Sequence, residues 1–236
     1  IGTILLTGPK SELLIANLTD DKTDVSNFPW LTHKEINLCN EKCRVLKVSY
    51  AGEKGFEIHI ANNSMSKVYN ELIKFGENYD LVHFGMLALD SMRLEKNYRS
   101  WKSDLTSDYS ILQSGLDRWI NFSKESFIGK EALTRESEIG VTKKFVTLVV
   151  DDPEDNKAFG EPVYLSPVFA GDKYLGPVVS SGYGHRVKKS ISMAILDDRN
   201  LDGLNDQLHI DVLGRKRKAH IVKEALYDPE NNRLRS

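Results

Sequence analysis

Two runs of alternating apolar and polar residues, joined by a short glycine-containing segment, constrain the fold of this chain most strongly. The runs span residues 44–50 and 56–60, and Gly52 and Gly55 bracket the turn between them. Alternation with a period of two is typical of β-strands with one buried face, and a short connection with glycine predicts a hairpin. Residues 64–78 then have the apolar spacing of an amphipathic helix. Strands followed by a helix that packs on them predict an α+β unit.

The residues before this hairpin predict further elements of the same unit. An apolar run at 3–6 predicts a strand, and residues 12–18 have helical spacing after Ser11, a residue typical of helix starts. The polar segment 20–27 predicts a loop, and residues 35–38 alternate like another strand. Because a strand is already in progress at the first residues and no signal-peptide pattern precedes it, we interpret the sequence as beginning inside a longer protein.

A long apolar segment follows the amphipathic helix. Residues 81–98 predict a second helix that is apolar on nearly all sides as far as Arg93. A helix of that kind is usually buried. Arg93 is then expected either to form a structural ion pair or to point into a site, because a buried charge needs a partner.

The second half of the sequence changes to short strands separated by turn residues, after a helical start at Gly129. Strands are predicted at residues 145–150, 162–165, 174–180, 190–196, 207–213 and 218–222. Short strands at regular spacing predict a small barrel or sandwich. Since the stretch 138–143 is polar, we predict two domains, residues 1–138 and 139–236, and an α+β fold that ends in a small β domain.

The charge balance argues against a nucleic-acid partner. The chain has 32 Lys and Arg against 34 Asp and Glu, for a net charge of −2, whereas nucleic-acid-binding domains are usually basic. A dense basic run occupies residues 215–218, directly after Gly214. It predicts a solvated hairpin tip or, alternatively, a contact with an anion.

Neither a metal site nor a membrane segment is expected. The cysteines Cys39 and Cys43 have no second pair and no nearby histidine, and the six histidines are scattered without metal-ligand spacing. Two cysteines do not build a disulfide framework, so we interpret them as free thiols in a reducing compartment. No apolar stretch approaches the ~18–20 residues of a membrane span.

Tyr50 and Glu57 form the best candidate site, since glycine-rich phosphate loops and a nucleophile elbow are absent. Tyr50 is expected to end one strand, and Glu57 to lie in the next with Phe56 and Ile58 on the opposite face. An aromatic ring beside a carboxylate suits a flat heterocycle with adjacent N–H donors, which can stack on the ring and donate two hydrogen bonds. The alternative is an exposed glutamate on a hairpin.

Residues 49–58 (SYAGEKGFEI) resemble the signature of the aminomethyltransferase family. The family includes the glycine-cleavage T-protein and the C-terminal folate domains of dimethylglycine and sarcosine dehydrogenases. Further blocks similar to the family occur, in order, at residues 84–96, 127–133, 180–194 and 226–234. Residues 98–101 and 104–106, with the tail, look closer to the dehydrogenase-linked members. The resemblance covers essentially the whole chain.

The resemblance implies a folate-binding aminomethyltransferase domain over residues 1–138 and a C-terminal β-barrel over residues 139–236. The bound heterocycle would be tetrahydrofolate, with Glu57 holding the pterin N–H groups and Tyr50 in the same pocket. Other cofactor-binding residues that the resemblance implies are Tyr227, Trp101, Tyr183 and Arg93. Core packing is the alternative for Trp101 and Tyr183, and a structural ion pair for Arg93.

A reaction and its partners also follow from the resemblance. Family members move a one-carbon unit from a small-molecule amine donor to N5 of tetrahydrofolate, and the protein contributes mainly by positioning the reactants. An upstream flavin domain, or a separate flavin protein, is a possible partner that the dehydrogenase-linked members imply. The expected compartment is the cytoplasm, or the mitochondrial matrix in a eukaryote.

Two departures from the family pattern leave alternatives open. Leu89 stands where the T-protein has an arginine that helps to bind folate, and the family's catalytic aspartate falls upstream of residue 1. No catalytic residue is therefore assigned, and nothing in the pattern promotes Asp104 or Asp108 to that role. The alternatives are methyl transfer to tetrahydrofolate from a sulfonium or other methylated donor, and a non-catalytic folate-binding or interaction module.

Overall fold

The computed structural model describes residues 1–19, 25–151, 161–197, 201 and 203–235. Its contacts divide the chain into two compact units. The first comprises Ile1–Lys96 together with the C-terminal tail Tyr227–Ser236, and the second comprises Asn97–Leu226. Residues from both ends of the sequence therefore build the first unit.

A four-stranded antiparallel sheet forms the centre of the first unit. Its strands are β1 (Gly2–Thr7), β2 (His33–Leu38), β3 (Glu41–Leu46) and β4 (Gly55–Ile60), in the spatial order β1-β4-β3-β2. The structure confirms the strands predicted at 3–6, 35–38 and 56–60. It also confirms the antiparallel pairing of the two runs that surround the glycine segment.

Three helices accompany the sheet: α1 (Ser11–Leu18), α2 (Asn62–Gly76) and α3 (Met86–Glu95). The first two confirm the predicted helices, and their apolar residues join one face of the sheet in a buried core. In β4, Phe56, Ile58 and Ile60 are at most 1% exposed and belong to that core. Because side chains alternate along a strand, Glu57 and His59 lie on the opposite face of the sheet.

The strand predicted at 44–50 is wrong in its second half, because β3 ends at Leu46. Ser49 Oγ accepts a hydrogen bond from the N–H group of Ala51 at 3.2 Å, which bends the chain. Gly52 follows with a φ of +80°, in the left-handed region that a strand does not use. These local turns replace the end of the strand and make the connection to β4 a loop.

The loop predicted at 20–27 falls only partly on described residues, since 20–24 lie outside them. Val25–Asn27 forms a short 3-10 helix instead of an irregular loop. Val25 and Phe28 are each 2% exposed and join the core of the first unit. Two buried apolar side chains therefore hold the end of this segment, although the polar residues around them predicted an exposed loop.

The helix predicted at 81–98 is shorter and more exposed than expected. It begins at Met86, and its buried residues lie at its C-terminal end. Val82, Met86 and Leu87 are 74%, 76% and 89% exposed, so the prediction of a buried helix is wrong for this part. All-round apolarity leads to burial only where other elements cover every side, and none of the described residues covers this one.

Both cysteines are free thiols, as expected. Cys39 and Asn40 form the turn between β2 and β3 with φ angles of 54° and 62°, while Cys43 is 1% exposed in the core. Burial, aided by the nearby Cys39 and Glu41, raises the pKa of Cys43 to about 11. Since the thiolate is the reactive form, Cys43 is inert at neutral pH.

A closed six-stranded antiparallel barrel forms the centre of the second unit and confirms the predicted small barrel. Its strands are β5 (Lys143–Val150), β6 (Pro167–Ala170), β7 (Lys173–Gly184), β8 (Lys189–Asp197), β9 (Leu208–Val212) and β10 (Arg215–Val222), in the closed order β10-β5-β8-β7-β6-β9. Every strand contributes apolar residues to the barrel's buried interior. The α+β fold with a C-terminal barrel is thus confirmed.

The strand predicted at 162–165 is wrong, because β6 begins only at Pro167. Leu165 has a φ of +69° and donates its N–H group to the carbonyl of Val178 at 2.8 Å. A residue in the left-handed region ends any extended strand. The three consecutive apolar residues of this segment are largely exposed: Val163 60%, Tyr164 62% and Leu165 60%.

The basic run at 215–218 follows the tip of a hairpin instead of forming it. Leu213 and Gly214 make the turn, and the run opens β10. Arg217 is only 7% exposed, and its Nε and Nη2 donate to the carbonyl of Asp151 at 3.1 and 2.8 Å. The solvated-tip interpretation is therefore wrong for Arg217, whose charge is used inside the barrel unit.

A segment with little strand structure precedes the barrel and contains α4 (Lys130–Ile139), which begins after Gly129 as predicted. Asp104 lies in this segment and is 0% exposed. It accepts hydrogen bonds from the N–H group of Ser100 at 2.7 Å and from the hydroxyl of Ser180 on β7. Asp104 thus ties the segment to the barrel, which is a structural role.

The domain boundary at residue 138 stays a prediction. The two compact units divide after Lys96, and the tail from Tyr227 returns to the first unit. The polar stretch at 138–143 precedes β5, the first strand of the barrel. The compact units therefore divide the chain at positions other than the boundary that the composition predicts.

Two further findings concern the described part of the chain. No helix in it is long and apolar enough to cross a membrane. No group of three or more His, Cys, Asp and Glu side chains in it is placed to hold a metal ion.

We predict that Gly176→Ala destabilises the barrel strongly. A Cβ at this position of β7 would lie 2.0 Å from the carbonyl oxygen of Ile195 on β8, a backbone atom that cannot move away cheaply. Overpacking typically costs about 1–3 kcal/mol and occasionally more, and a clash with a backbone atom belongs at the upper end of this range. Urea denaturation of the variant and of the wild-type protein, monitored by far-UV circular dichroism, measures the change in the free energy of unfolding.

Gly171→Asn provides the matched control in the turn between β6 and β7. This glycine has a φ of +57° and open space around its Cα, and asparagine tolerates that conformation. Its substitution is expected to change stability by less than about 1 kcal/mol. Equal effects of the two substitutions would contradict the predicted close approach of β7 and β8.

Candidate functional site

The signature loop, residues 47–54, contains most of the family-like segment 49–58. Gly52 is buried in it, and a Cβ there would lie 2.4 Å from Lys96 Cγ. Its φ of +80° also belongs to the region that favours glycine. Tyr50 is half-buried and Ala51 fully buried in the same loop, so the loop is folded tightly against the first unit.

Glu57 lies in β4 on the face of the sheet that points away from the core. Its cross-strand neighbours are Leu5 on β1 and Leu46 on β3. The carboxylate is 3.3 Å from Nε2 of His59, and its side chain is 38% exposed. A half-exposed carboxylate between two leucines, beside an imidazole, can accept hydrogen bonds from a flat heterocycle.

A cavity of about 890 Å³ lies beside the signature loop within the first unit. Its walls come from β1 and the start of α1, one side of α2, and the segment from Tyr79 into α3. The signature loop contributes Ala51 and Glu53. Leu5, the cross-strand neighbour of Glu57, also lines the cavity, so the predicted carboxylate lies one strand away from its wall.

A few polar groups interrupt the largely apolar wall of this cavity. Tyr69 on α2 has its hydroxyl 3.3 Å from Nδ1 of His83. Lys10 and Asp80 form an ion pair at 2.6 Å. Glu53 supplies a carboxylate from the signature loop. An apolar cavity with a few convergent polar groups is the usual form of a small-molecule site.

The helix α3 presents Leu89 to the cavity and keeps Arg93 away from solvent. Arg93 is 2% exposed, and its Nε donates to Oδ1 of Asp90 at 2.6 Å. The structural ion pair that was the alternative for Arg93 is therefore present. Leu89 makes this part of the cavity wall apolar.

Tyr227 anchors the C-terminal tail to the signature loop. Its hydroxyl donates to Oε1 of Glu53, and its N–H group donates to the carbonyl of Glu95 at 3.0 Å. The guanidinium of Arg233 lies 5.8 Å from the centre of the Tyr227 ring, and its Nη1 lies 3.8 Å from Glu53 Oε1. The structure thus brings Tyr227 to the cavity wall through Glu53.

Asp228 closes the tail on itself and on Lys96. Its Oδ1 accepts from the N–H groups of Asn232 and Arg233, at 2.9 and 3.3 Å, and so caps the short helix α5 (Asn232–Arg235). Its Oδ2 lies 3.5 Å from Lys96 Nζ. Burial alone would raise the pKa of Asp228, but the backbone N–H groups and the charge of Lys96 hold it below its ordinary value.

Trp101 and Tyr183 belong to the second unit. Trp101 is 77% exposed, so the core-packing alternative is wrong for it. Tyr183 is half-buried on β7, with its ring edge-on to His185 at a centroid distance of 5.2 Å. The structure therefore places Tyr50, Glu57, Arg93 and Tyr227 in one unit and these two aromatics in the other.

Sequence reasoning missed Glu53, Lys96 and the pair formed by Tyr69 and His83. Glu53 lies inside the signature, but the alternating pattern gave no sign that the loop turns it toward a cavity. Lys96 follows α3 directly, where a lysine is an ordinary exposed helix end. Its contacts join residues far apart in the chain, and no local signal reports them.

Comparison with known proteins assigns the chain to a family. The domain models described as "GCVT N-terminal domain" and "Glycine cleavage T-protein C-terminal barrel domain" match residues 1–124 and 143–228. The second range contains the six barrel strands found here. The chain therefore belongs to the glycine cleavage T-protein (GCVT) family.

Relatives of the chain include both free and dehydrogenase-linked members. It is 31% identical over 229 residues to the aminomethyltransferase of Alkaliphilus oremlandii, covering 96% of this chain and 60% of that protein. It is 28% identical over 240 residues to the mitochondrial dimethylglycine dehydrogenase of Rattus norvegicus, covering 100% of this chain and 27% of that protein. The chain thus spans less than two thirds of the length of either relative.

A solved structure shows the same fold. The chain superposes on the glycine cleavage system aminomethyltransferase T from Bartonella henselae with a TM-score of 0.80 and 18% identity. The match covers 97% of this chain and 61% of that one.

We predict that the stability of the tail depends on pH through Asp228. A carboxyl with a lowered pKa stabilises the folded state above its ordinary value of 3.8 and loses this effect as the pH falls through the lowered value. Asp228→Asn should therefore be less stable than wild type at pH 7, by about 1–3 kcal/mol. It should also lose less stability than the wild type when the pH falls from about 5 to about 2, a range that spans the ordinary pKa of an aspartate.

Thermal unfolding at several pH values measures both effects. Asp172→Asn is the control, because the Asp172 side chain is fully exposed. If Asp228→Asn kept wild-type stability at pH 7 and the wild-type pH dependence, the charge of Asp228 would have no part in holding the tail.

Proposed function

We propose that the protein binds tetrahydrofolate in its first unit and takes part in one-carbon transfer from an amine donor to this acceptor. The cavity beside the signature loop, in a chain that matches both GCVT family domains in order, carries this proposal. The aminomethyltransferase and dimethylglycine dehydrogenase relatives support the same reaction class.

The cavity fits the chemistry of a reduced pterin. Its volume of about 890 Å³ lies within the range of sites that enclose a small ligand. Leucines and methionines of β1 and α3 offer apolar surface to a ring system. Glu53 on the wall and Glu57 one strand away offer carboxylates to N–H donors, which is the arrangement that orients a ring with several such donors.

Within this proposal Glu57 holds the pterin N–H groups, and Tyr50 contributes to the same pocket. Tyr227 remains a proposed member of the site, whereas Trp101 and Tyr183, which lie in the second unit, stay predictions of the family resemblance alone. The described residues contribute by binding and orienting. A held nucleophile and electrophile react with a large effective molarity, so positioning supplies much of the rate. We assign no catalytic carboxylate to this chain.

The donor is proposed by class only, as a small secondary or tertiary amine. An upstream flavin domain is part of the proposal because the chain resembles dehydrogenases along its whole length. A sulfonium or other methylated donor is the second candidate, for which the departure from the family pattern at Leu89 leaves room. Incubating the protein with tetrahydrofolate and each donor, and measuring methyl- or methylene-tetrahydrofolate, distinguishes the two.

We predict that Glu57→Gln weakens tetrahydrofolate binding roughly 10- to 100-fold, because it replaces charge-assisted hydrogen bonds by neutral ones. Titration calorimetry of the protein with tetrahydrofolate measures the change. The side chain is half-exposed, so the fold should keep its thermal stability.

Glu35→Gln is the matched control. Glu35 lies on β2 and pairs across the sheet with Arg44, which pairs with His59, so it shares the sheet face of Glu57. It is held by Lys42 at 2.6 Å, and its loss should leave folate affinity unchanged. Wild-type affinity in Glu57→Gln would refute the assignment of Glu57. Absence of binding in the wild-type protein would refute the proposed function.

A further inference from the structure

The C-terminal tail is anchored to the first unit by a buried lysine. Lys96 Nζ donates to the carbonyl of Asp228 at 2.6 Å and to Oδ1 of Asn231 at 2.8 Å. The side chains of Lys96 and Asp228 are 1% and 7% exposed. A buried ammonium is tolerated only where polar partners surround it, and the tail supplies such partners here.

The same lysine supports the signature loop. Its methylene stem lies where a side chain at position 52 would be, since a Cβ on Gly52 would come within 2.4 Å of Lys96 Cγ and 2.7 Å of Cδ. The ring of Tyr227 lies 3.5 Å from the same point. The loop, the lysine stem and the tail therefore form one packed layer, and a shift of the tail disturbs the loop.

Glu53 is the polar group through which this layer reaches the cavity. Its side chain is 18% exposed and lines the cavity wall. The hydroxyl of Tyr227 donates to Oε1, and the guanidinium of Arg233 lies 3.8 Å away from the same oxygen. The tail thus helps to fix the orientation of this carboxylate at the cavity wall.

We propose that the C-terminal tail, residues 227–235, is a positioning element of the binding site and that it acts by holding Glu53 against the cavity. This proposal rests on the proposed function, since it takes tetrahydrofolate as the ligand. Glu53 accepts a hydrogen bond from an N–H group of the ligand. Tyr227 is a positioning residue, which controls the affinity of the cavity through Glu53.

Tyr227→Phe tests the proposal because it removes one oxygen atom and keeps the ring. Calorimetry with tetrahydrofolate should show about 10-fold weaker binding, the effect of about 1.4 kcal/mol. The melting temperature should change little. Tyr174→Phe, a hydroxyl loss at a 54% exposed position of the barrel, is the control and should bind as wild type.

A double-mutant cycle with Glu53→Gln separates positioning from general stability. If Tyr227 acts through Glu53, the double variant binds no more weakly than Glu53→Gln alone. Additive losses, or wild-type affinity in Tyr227→Phe, would overturn the proposal.

Failure of the proposed function is distinguishable from failure of this inference. If the wild-type protein bound no tetrahydrofolate, the proposed ligand would be wrong, and hydrogen exchange of the ligand-free protein would decide the positioning claim. Faster exchange in residues 47–54 of Tyr227→Phe would support the coupling of tail and loop. Unchanged exchange there would overturn it.

Discussion

The buried ammonium group of Lys96 joins the C-terminal tail to the rest of the first unit. Lys96 ends the buried part of α3, and its ammonium group is held by Asp228 and Asn231 from the far end of the chain. Removing one partner of a buried charge is destabilising, because the polar groups that remain compensate the charge less well. The chain leaves the first unit after Lys96 and returns to it after the barrel, where the tail supplies these partners.

Lys96 also affects the candidate site, because its methylene stem occupies the space beside Gly52. The signature loop is thereby packed between the sheet and the tail, and Glu53 is turned to the cavity wall under the hydroxyl of Tyr227. Glu57, by contrast, is placed on its face of the sheet by strand alternation, opposite Phe56 and Ile58. Glu53 is thus oriented by tertiary contacts, whereas Glu57 is oriented by the alternation of side chains along β4.

This difference also sets how much of the molecule could be predicted from its sequence. The orientation of Glu57 follows from period-two alternation, and the barrel follows from strand spacing, so both were predictable. The family followed from the ordered resemblance of the motifs. The end of β3 at Leu46, the exposed half of α3 and the roles of Glu53 and Lys96 were not predictable. The end of β3 depends on local turns that include a glycine with a positive φ. The exposure of α3 depends on which of the described residues pack against it, and the roles of Glu53 and Lys96 depend on contacts between residues far apart in the sequence.

A folate-sized ligand is proposed to bind in the first unit, between the signature loop and α3. Hydrogen–deuterium exchange with and without tetrahydrofolate locates the binding site, because the exchange of each segment is measured separately. We expect slower exchange on binding in residues 47–57 and 79–92, with no change in β9 and β10. Protection confined to the barrel strands, or none anywhere at saturating ligand, would refute binding at this cavity.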